Sequence, residues 1–230
     1  TYPSSEKLYD WELGYQYTAP RLSLGVNLYY MKYKDQLVPT GMVNDDSNAL
    51  NTNVPDSYRR GVELSASWRA TGWFTVGANA TFSQNRIENY VDALKDSPTY
   101  GKELGDMTIA YSPDVIANAF LNFHHRGFEA VFHTQHVGKQ YFTNNENDAL
   151  SLDAYCVTNL NLAYTFRTRS ARSVRLGLLI NNLFNAEYES NGYGYSYMDT
   201  WSGPAPVRID EAYYFPQAPL NVLANVTVKF

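Results

Sequence analysis

Residues Tyr9 to Tyr30, YDWELGYQYTAPRLSLGVNLYY, alternate almost without fault. Tyr9, Trp11, Leu13, Tyr15 and Tyr17 fall on one side of an extended chain and Asp10, Glu12, Gly14 and Gln16 on the other, because strand side chains repeat with a period of two. A tight turn with Ala19 and Pro20 at its tip pairs the segment with itself. Tyr17 then faces Leu22, Leu13 faces Val26 and Tyr9 faces Tyr30, while Gln16, Gly14, Glu12 and Asp10 meet Ser23, Gly25, Asn27 and Tyr29. A slip of one residue would send every apolar side chain to the polar face. The pattern restricts the chain to antiparallel sheet with one apolar and one polar face, and leaves open whether the apolar face meets protein or lipid.

The device recurs along the chain. In GVELSASWRATGWFTVGANATF, Val62, Leu64, Ala66 and Trp68 share a face with Phe74, Val76, Ala78, Ala80 and Phe82, given a three-residue turn Ala70–Thr71–Gly72 with Gly72 at positive φ. VIANAFLNFHHRGFEAVFHTQHVG folds about Arg126 and Gly127, which sets Phe123 opposite Ala130 and Leu121 opposite Phe132. TNLNLAYTF and VRLGLLI place Leu160, Leu162, Tyr164 and Phe166 on the face of Val174, Leu176, Leu178 and Ile180. A last strand, LNVLANVTVKF, carries Val222, Ala224, Val226, Val228 and Phe230 on one side. The reading is all-β, with about nine strands and no helix.

Connections decide what the apolar face touches. Those at Ala19, Thr71, Gly127 and about Ser170 are short, whereas those near residues 35–57, 86–113, 139–153 and 185–217 are long and rich in Asn, Asp, Gly, Pro and Tyr. Short and long strictly alternate, so in an up-and-down sheet all short turns lie at one end and all long loops at the other, as in outer-membrane barrels. The strands run to roughly ten to thirteen residues, enough to cross an apolar layer of about 25 Å at a steep tilt. With 20 Tyr the aromatic share reaches 15%, and the placement is ordered. Tyr17, Trp68, Phe74, Phe123, Phe128, Tyr164 and Phe166 fall near the short-turn end of the apolar face, where a membrane girdle would sit. A soluble sandwich would need long strands in a small fold, long loops crowded at one end and an aromatic band at strand termini, three features that have one joint cause in a membrane barrel.

Composition excludes other classes. A formal net charge of −5 without basic clusters argues against a nucleic-acid partner. The single Cys156 rules out an internal disulfide framework and a multi-thiolate metal site. No apolar run approaches the roughly 18 to 20 residues of a spanning helix, and no leader opens the chain, which says nothing against strands in a membrane. Nothing supports an enzyme, a cofactor or a metal. His124 and His125 fall on opposite faces, as do His133 and His136; NGYGYSY lacks the strand-to-helix setting of a nucleotide loop. Asp10, Glu12 and Glu63 read as a solvated lumen wall or as partners of Arg69 and its neighbours rather than as paired catalytic acids. The long loops hold the binding candidates: Tyr141, Phe142, Asn144 and Asn145 in GKQYFTNN, and Tyr193, Tyr195, Tyr197, Met198 and Trp201 in ESNGYGYSYMDTW. Such side chains offer flat apolar surface with hydrogen-bonding edges, for a ligand or for packing between loops.

LYDWELGYQY, YRRGVELSASW, GKQYFTNNEN with LDAYCVTNLNLAYTF, INNLFNAEYESNGYGYSY and YFPQAPLNVLANVTVKF together resemble, in order from Glu6 to Phe230, the C-terminal part of TonB-dependent outer-membrane receptors. Val226, Val228 and Phe230 resemble the closing-strand signal read by the outer-membrane assembly machine, with Asn225 where that signal often has Gly. The resemblance implies an antiparallel transmembrane β-barrel in the outer membrane of a Gram-negative bacterium. Residues 1–230 would supply about nine C-terminal strands of a 22-stranded barrel, whose plug and earlier strands are expected outside this chain. Nine strands with two open edges in lipid would leave unpaired backbone groups costing several kcal/mol each, so they are not expected to form a complete membrane protein alone. The implied function is uptake of a scarce solute, a ferric siderophore first and cobalamin or haem next. The implied partners are outer-membrane lipid, the TonB complex acting through the plug, the assembly machine, an extracellular small-molecule chelate and a surface lipoprotein. Asn181, Asn182, Leu183 and Phe184 match a family motif expected to hold strand and loop geometry. A passive porin and a soluble β-sheet binding domain are the alternatives.

Overall fold

The computed structural model describes residues 3–43 and 49–230. Its strands are β1 (Lys7–Thr18), β2 (Leu22–Val43), β3 (Ala49–Arg69), β4 (Phe74–Ile87), β5 (Met107–Thr108), β6 (Val115–His125), β7 (Phe128–Val137), β8 (Gln140–Tyr141), β9 (Ser151–Leu152), β10 (Tyr155–Phe166), β11 (Ser173–Asn181), β12 (Glu189–Asp199), β13 (Val207–Pro216) and β14 (Asn221–Lys229), with a single 3₁₀ turn at Asp148–Leu150. Nine of them form one antiparallel sheet in the order β1-β2-β3-β4-β6-β7-β10-β11-β14, and β5 adds a short rung to β4. Successive strands of this sheet are neighbours, β12 and β13 pair apart from it as a hairpin between β11 and β14, and the sheet is not closed, since β1 and β14 each pair on one side only.

Two hairpins have the register expected. Phe123 opposes Ala130 and Leu121 opposes Phe132 about a turn in which Arg126 (φ 49) and Gly127 (φ 84) both adopt the left-handed conformation of a two-residue hairpin loop. Leu160, Leu162, Tyr164 and Phe166 oppose Ile180, Leu178, Leu176 and Val174. In the other two the register is displaced by two residues. Tyr17 pairs with Leu24, Leu13 with Leu28 and Tyr9 with Lys32, because the turn is centred on Pro20–Arg21 rather than Ala19–Pro20. Ala19 and Leu22 close it with reciprocal backbone hydrogen bonds of 2.7 and 3.3 Å. Proline's fixed φ suits the first of the two central turn positions. Arg69 pairs with Thr75, so the second connection is longer than Ala70–Gly72, and Gly72 does not adopt positive φ. A shift of two preserves the faces, so the apolar assignments survive: Trp68, Ala66, Leu64 and Val62 meet Val76, Ala78, Ala80 and Phe82.

The segment expected as a loop at 35–57 is mostly strand; its residues 44–48 lie outside the described residues. β2 and β3 continue for 22 and 21 residues, about 70 Å along the chain and far more than a membrane needs. Asp35 (φ 55) lies where the alternation changes: beyond it Gln36 and Val38 are buried and Leu37 is exposed. The 185–217 segment likewise folds as its own hairpin, β12–β13. The extensions of β2 and β3 show no sustained apolar–polar alternation, and β12 alternates only Tyr193, Tyr195 and Tyr197 with Gly192, Gly194 and Ser196, because both faces of a strand outside the apolar layer are free to be polar while the backbone ladder still forms.

No second layer covers the apolar face among the described residues. Leu13 is 71% exposed, Trp68 52% and Val226 65%. The buried clusters sit instead at the long-loop end: Val38, Val54, Ile87, Tyr90 and Ile109 in one, Phe142, Leu150 and Leu152 in the other. The polar face lines a groove of about 680 Å³ between β1 and β4. Glu12 and Glu63 share the Asn27 amide there, at 3.4 and 3.2 Å, in place of any ion pair to Arg69.

Candidate functional site

The loop end is built around one ring. Phe142 is 2% exposed and lies 5.8 Å from the rings of both Tyr111 and Tyr214. Above it passes β12, and the approach explains the glycines of NGYGYSY: a Cβ on Gly192 would come within 2.7 Å of Phe142 Cζ, and one on Gly194 within 2.9 Å of Phe142 Cδ2 and Leu150 Cδ2. The alternate residues, Tyr193, Tyr195 and Tyr197, therefore share the opposite face with Ile209, Glu211, Tyr213 and Phe215 of β13. Tyr193 stacks on Tyr213 at 4.9 Å, and Tyr195 lies 6.4 Å from both Tyr213 and Tyr197.

Glu211 organises this row. Its carboxylate accepts hydrogen bonds from the hydroxyls of Tyr195 at 2.5 Å, Tyr213 at 2.9 Å and Tyr197 at 3.3 Å. The bond to Glu211 holds the Tyr195 phenol far above its ordinary pKa, and the donated bonds, Tyr195 first, hold Glu211 below the usual carboxylate range. At neutral pH Tyr195 thus stays a protonated phenol beside the anionic Glu211. Between this row and the β2–β3 hairpin lies a cavity of about 590 Å³, lined by Met42, Leu50, Tyr111, Tyr193, Tyr195 and Tyr213 among others, with no basic side chain in its wall among the described residues.

The nine binding candidates divide. Tyr193 and Tyr195 line the cavity; Tyr197 continues their row and is 43% exposed. Trp201 is 91% exposed at the hairpin tip, where Asp199 accepts from the Trp201 and Ser202 amides. Met198 is on the other face of β12, opposite Arg208. Phe142 touches the cavity floor but is mostly spent on packing. Asn144 is wholly buried and ties three segments, accepting from Ala110 N at 2.7 Å and donating to Pro39 O at 2.6 Å. Asn145 accepts from the Thr143 hydroxyl, and Tyr141 donates to Asp148 beneath Lys139, whose ammonium lies 5.0 Å from its ring. Sequence reasoning missed Tyr111, Tyr213 and Glu211; the run Tyr213–Tyr214–Phe215 was the available signal, whereas Met42 and Leu50 gave none.

Asn182 (φ 51, 3% exposed) pins the root of the β12–β13 segment. Its side chain accepts from Ala186 N at 2.8 Å and donates to the carbonyls of Ala186 and Ala218, while its own N–H donates to Asn159. Phe184 beside it is 75% exposed.

Charge is sorted along the sheet. The connections 88–114, 138–154 and 182–220 contain 14 acids and 4 bases, and the four short turns contain five arginines and no acid. Two of the four loop bases are engaged, Lys139 with Asp148 and Arg208 with Asp210, and Arg86 at the end of β4 approaches Glu146.

Aromatic rows bound the apolar face. Phe74 stacks on Phe123 at 4.5 Å, and Tyr164 on Phe166 at 5.8 Å; Tyr17, Trp68 and Phe128 stand exposed at the same end. A second row, Tyr9, Trp11, Tyr30 and Tyr58, crosses the other end with Arg60 over Tyr58. Eight residues separate Leu22 from Tyr30, about 26 Å along the strand. Val226 and Val228 pair with Leu176 and Val174 on the apolar face of β14, and Phe230 beyond them is 93% exposed.

The family model described as TonB dependent receptor-like, beta-barrel matches residues 3–183. Among solved structures, the ferric yersiniabactin uptake receptor FyuA from Yersinia pestis is similar over 98% of this chain and 30% of its own (TM-score 0.67, 20% identity). The copper transporter OprC is similar over 98% and 31% (0.65, 20%), and the unliganded ferric citrate transporter FecA over 96% and 30% (0.63, 16%). The chain thus spans under a third of the length of these receptors. The chain belongs to the TonB-dependent receptors, Gram-negative outer-membrane transport proteins, and its nine-stranded sheet is a part of their β-barrel.

Proposed function

We propose that residues 1–230 are the C-terminal part of the barrel of a TonB-energised importer whose plug and earlier strands lie outside this chain. Its cargo is a ferric siderophore, with cobalamin and haem next, captured by the long loops and released to the lumen when the TonB complex acts on the plug. The girdle is formed by Tyr17, Trp68, Phe74, Phe123, Phe128, Tyr164 and Phe166. Val226, Val228 and Phe230 serve the assembly machine, and a surface lipoprotein can join at the loops.

The observation that carries this reading is the tyrosine-lined cavity of about 590 Å³ at the acidic end of the sheet. Stacked phenols supply apolar area and hydroxyl donors, as a chelate with an organic shell requires. A wall without cations, beside Glu211, fits a chelate of zero or positive net charge; an anionic one would be desolvated with no counter-ion. FyuA and FecA, both receptors for ferric chelates, share the fold.

The test uses the full-length receptor. A deletion strain carrying it should grow on a neutral ferric trihydroxamate as sole iron source, in a TonB-dependent manner, and should lose that growth when Tyr195 and Tyr213 are both changed to alanine. Growth that persists without TonB would mark a passive pore and refute the proposal.

A further inference from the structure

Two cavities away from the loop end are linked by one aromatic stack. At the short-turn rim a cavity of about 820 Å³ opens between the Arg126–Gly127 turn, the 167–172 turn and the end of β14. Arg126, Arg167, Arg172 and Lys229 line it, and among the described residues no acidic side chain does. None of these four has an acidic partner among the described residues, and Glu129 on β7 is already taken by Arg175 at 2.7 Å. Thr165 and Ser173 from the polar face, Gly127 of the turn, and Phe166 and Phe230 complete the wall. Phe166 stacks on Tyr164, and Tyr164 belongs to a second groove, of about 310 Å³, formed on the apolar face with Phe128, Leu162, Leu176 and Leu178.

A soluble anion would account for the cations and not for the groove. A hydrocarbon tail alone would account for the groove and not for four uncompensated charges. One amphiphile accounts for both, since guanidinium groups match phosphate oxygens and basic pockets at a membrane boundary hold anionic head groups. We propose that rim cavity and groove together bind one anionic phospholipid of the periplasmic leaflet. Its phosphate sits among Arg126, Arg167, Arg172 and Lys229, and one acyl chain lies along Leu162, Leu176 and Leu178. The assignment to that leaflet rests on the short turns lying at the periplasmic face.

Native mass spectrometry of the full-length receptor in mild detergent, titrated with phosphatidylglycerol or phosphatidylcholine, tests this. One phosphatidylglycerol should be retained and phosphatidylcholine should not. The triple variant Arg126→Gln, Arg167→Gln, Arg172→Gln should weaken retention on the order of a hundredfold, at roughly fivefold per charge. Lys229 is left intact because it lies in the closing strand. Leu176→Trp, which fills the groove, should also weaken it. Folding of each variant is verified by heat-modifiable gel mobility. Should the triple variant fail to fold, the single variants Arg167→Gln and Arg172→Gln should each cost about fivefold. Equal retention of both lipids, or retention unchanged in the arginine variants, overturns the proposal. So does inorganic phosphate that binds the rim and displaces the lipid irrespective of Leu176→Trp, which would mark a free-anion site, or an acidic protein held there in place of lipid.

Discussion

Replacing Phe142 with alanine should release the loops without disturbing the wall. The ring is 2% exposed, packs against Leu150 and Leu152, and fills the space left by Gly192 and Gly194. Truncating a buried phenylalanine costs about 3 to 5 kcal/mol, and these glycines carry no side chain that could collapse into the void. At about 1.4 kcal/mol per tenfold, local opening of the β12–β13 hairpin becomes roughly a hundredfold to several thousandfold more frequent. The nine wall strands keep their own ladder, so the loss stays local. Hydrogen exchange on the full-length receptor in nanodiscs reads this directly. Amides of 189–216 should lose protection by two orders of magnitude or more, those of β10 and β11 should not, and heat-modifiable mobility should be unchanged. Unaltered protection in the hairpin would show that Phe142 does not hold it. Loss across the wall strands would show that loops and wall are one cooperative unit.

Further expectations concern the hairpin's charge and its root. Glu211 has a depressed pKa in the folded state, so the stability it lends is present above the ordinary glutamate value and is lost as pH falls through the lower folded one. Protection of 193–213 should hold from pH 7 to 5 and decline below about pH 4, and Glu211→Gln should abolish that dependence. The raised pKa of Tyr195 works at the alkaline end: its contribution is full below about pH 10 and is lost as pH rises above that. Asn182→Ala removes a buried side chain that bonds Ala186 and Ala218, and should loosen both roots of the 182–220 segment by about 1 to 3 kcal/mol in the same exchange experiment. Asn182→Asp, which keeps the acceptor and loses the donor, should fall between alanine and the native residue.

The wall was legible in the sequence and the loops were not, for a physical reason. Period two is enforced wherever one face meets hydrocarbon, so Leu160 to Phe166 and Val174 to Ile180 could be assigned faces and register from pattern alone. The same pattern is blind to a shift of two, which is why the hairpins at Pro20 and Gly72 kept their faces and lost their register. Only turn chemistry fixes that, as Arg126–Gly127 did through two residues at positive φ. Above the apolar layer a strand has two wet faces, so the long extensions of β2 and β3 left no sustained alternation to read, and the alternation of tyrosine with glycine in β12 carried no membrane signal. The loop aromatics stand out in the sequence by residue type. Which of them pack and which stand free depended on Gly192 and Gly194 letting one face of β12 lie flat on Phe142, a relation between segments about 50 residues apart.

The claim on which the account depends is that alternate side chains of the wall face hydrocarbon and a wet lumen. Leu64 lies midway between Trp68 and Arg60 on the apolar face, and Ser65 beside it lines the polar groove. Arginine at Leu64 should destabilise the full-length receptor in lipid vesicles by about 2 to 4 kcal/mol, and arginine at Ser65 by under about 1, as measured by reversible denaturant unfolding. Equal costs at the two positions, or a greater cost at Ser65, would contradict the assignment of the faces.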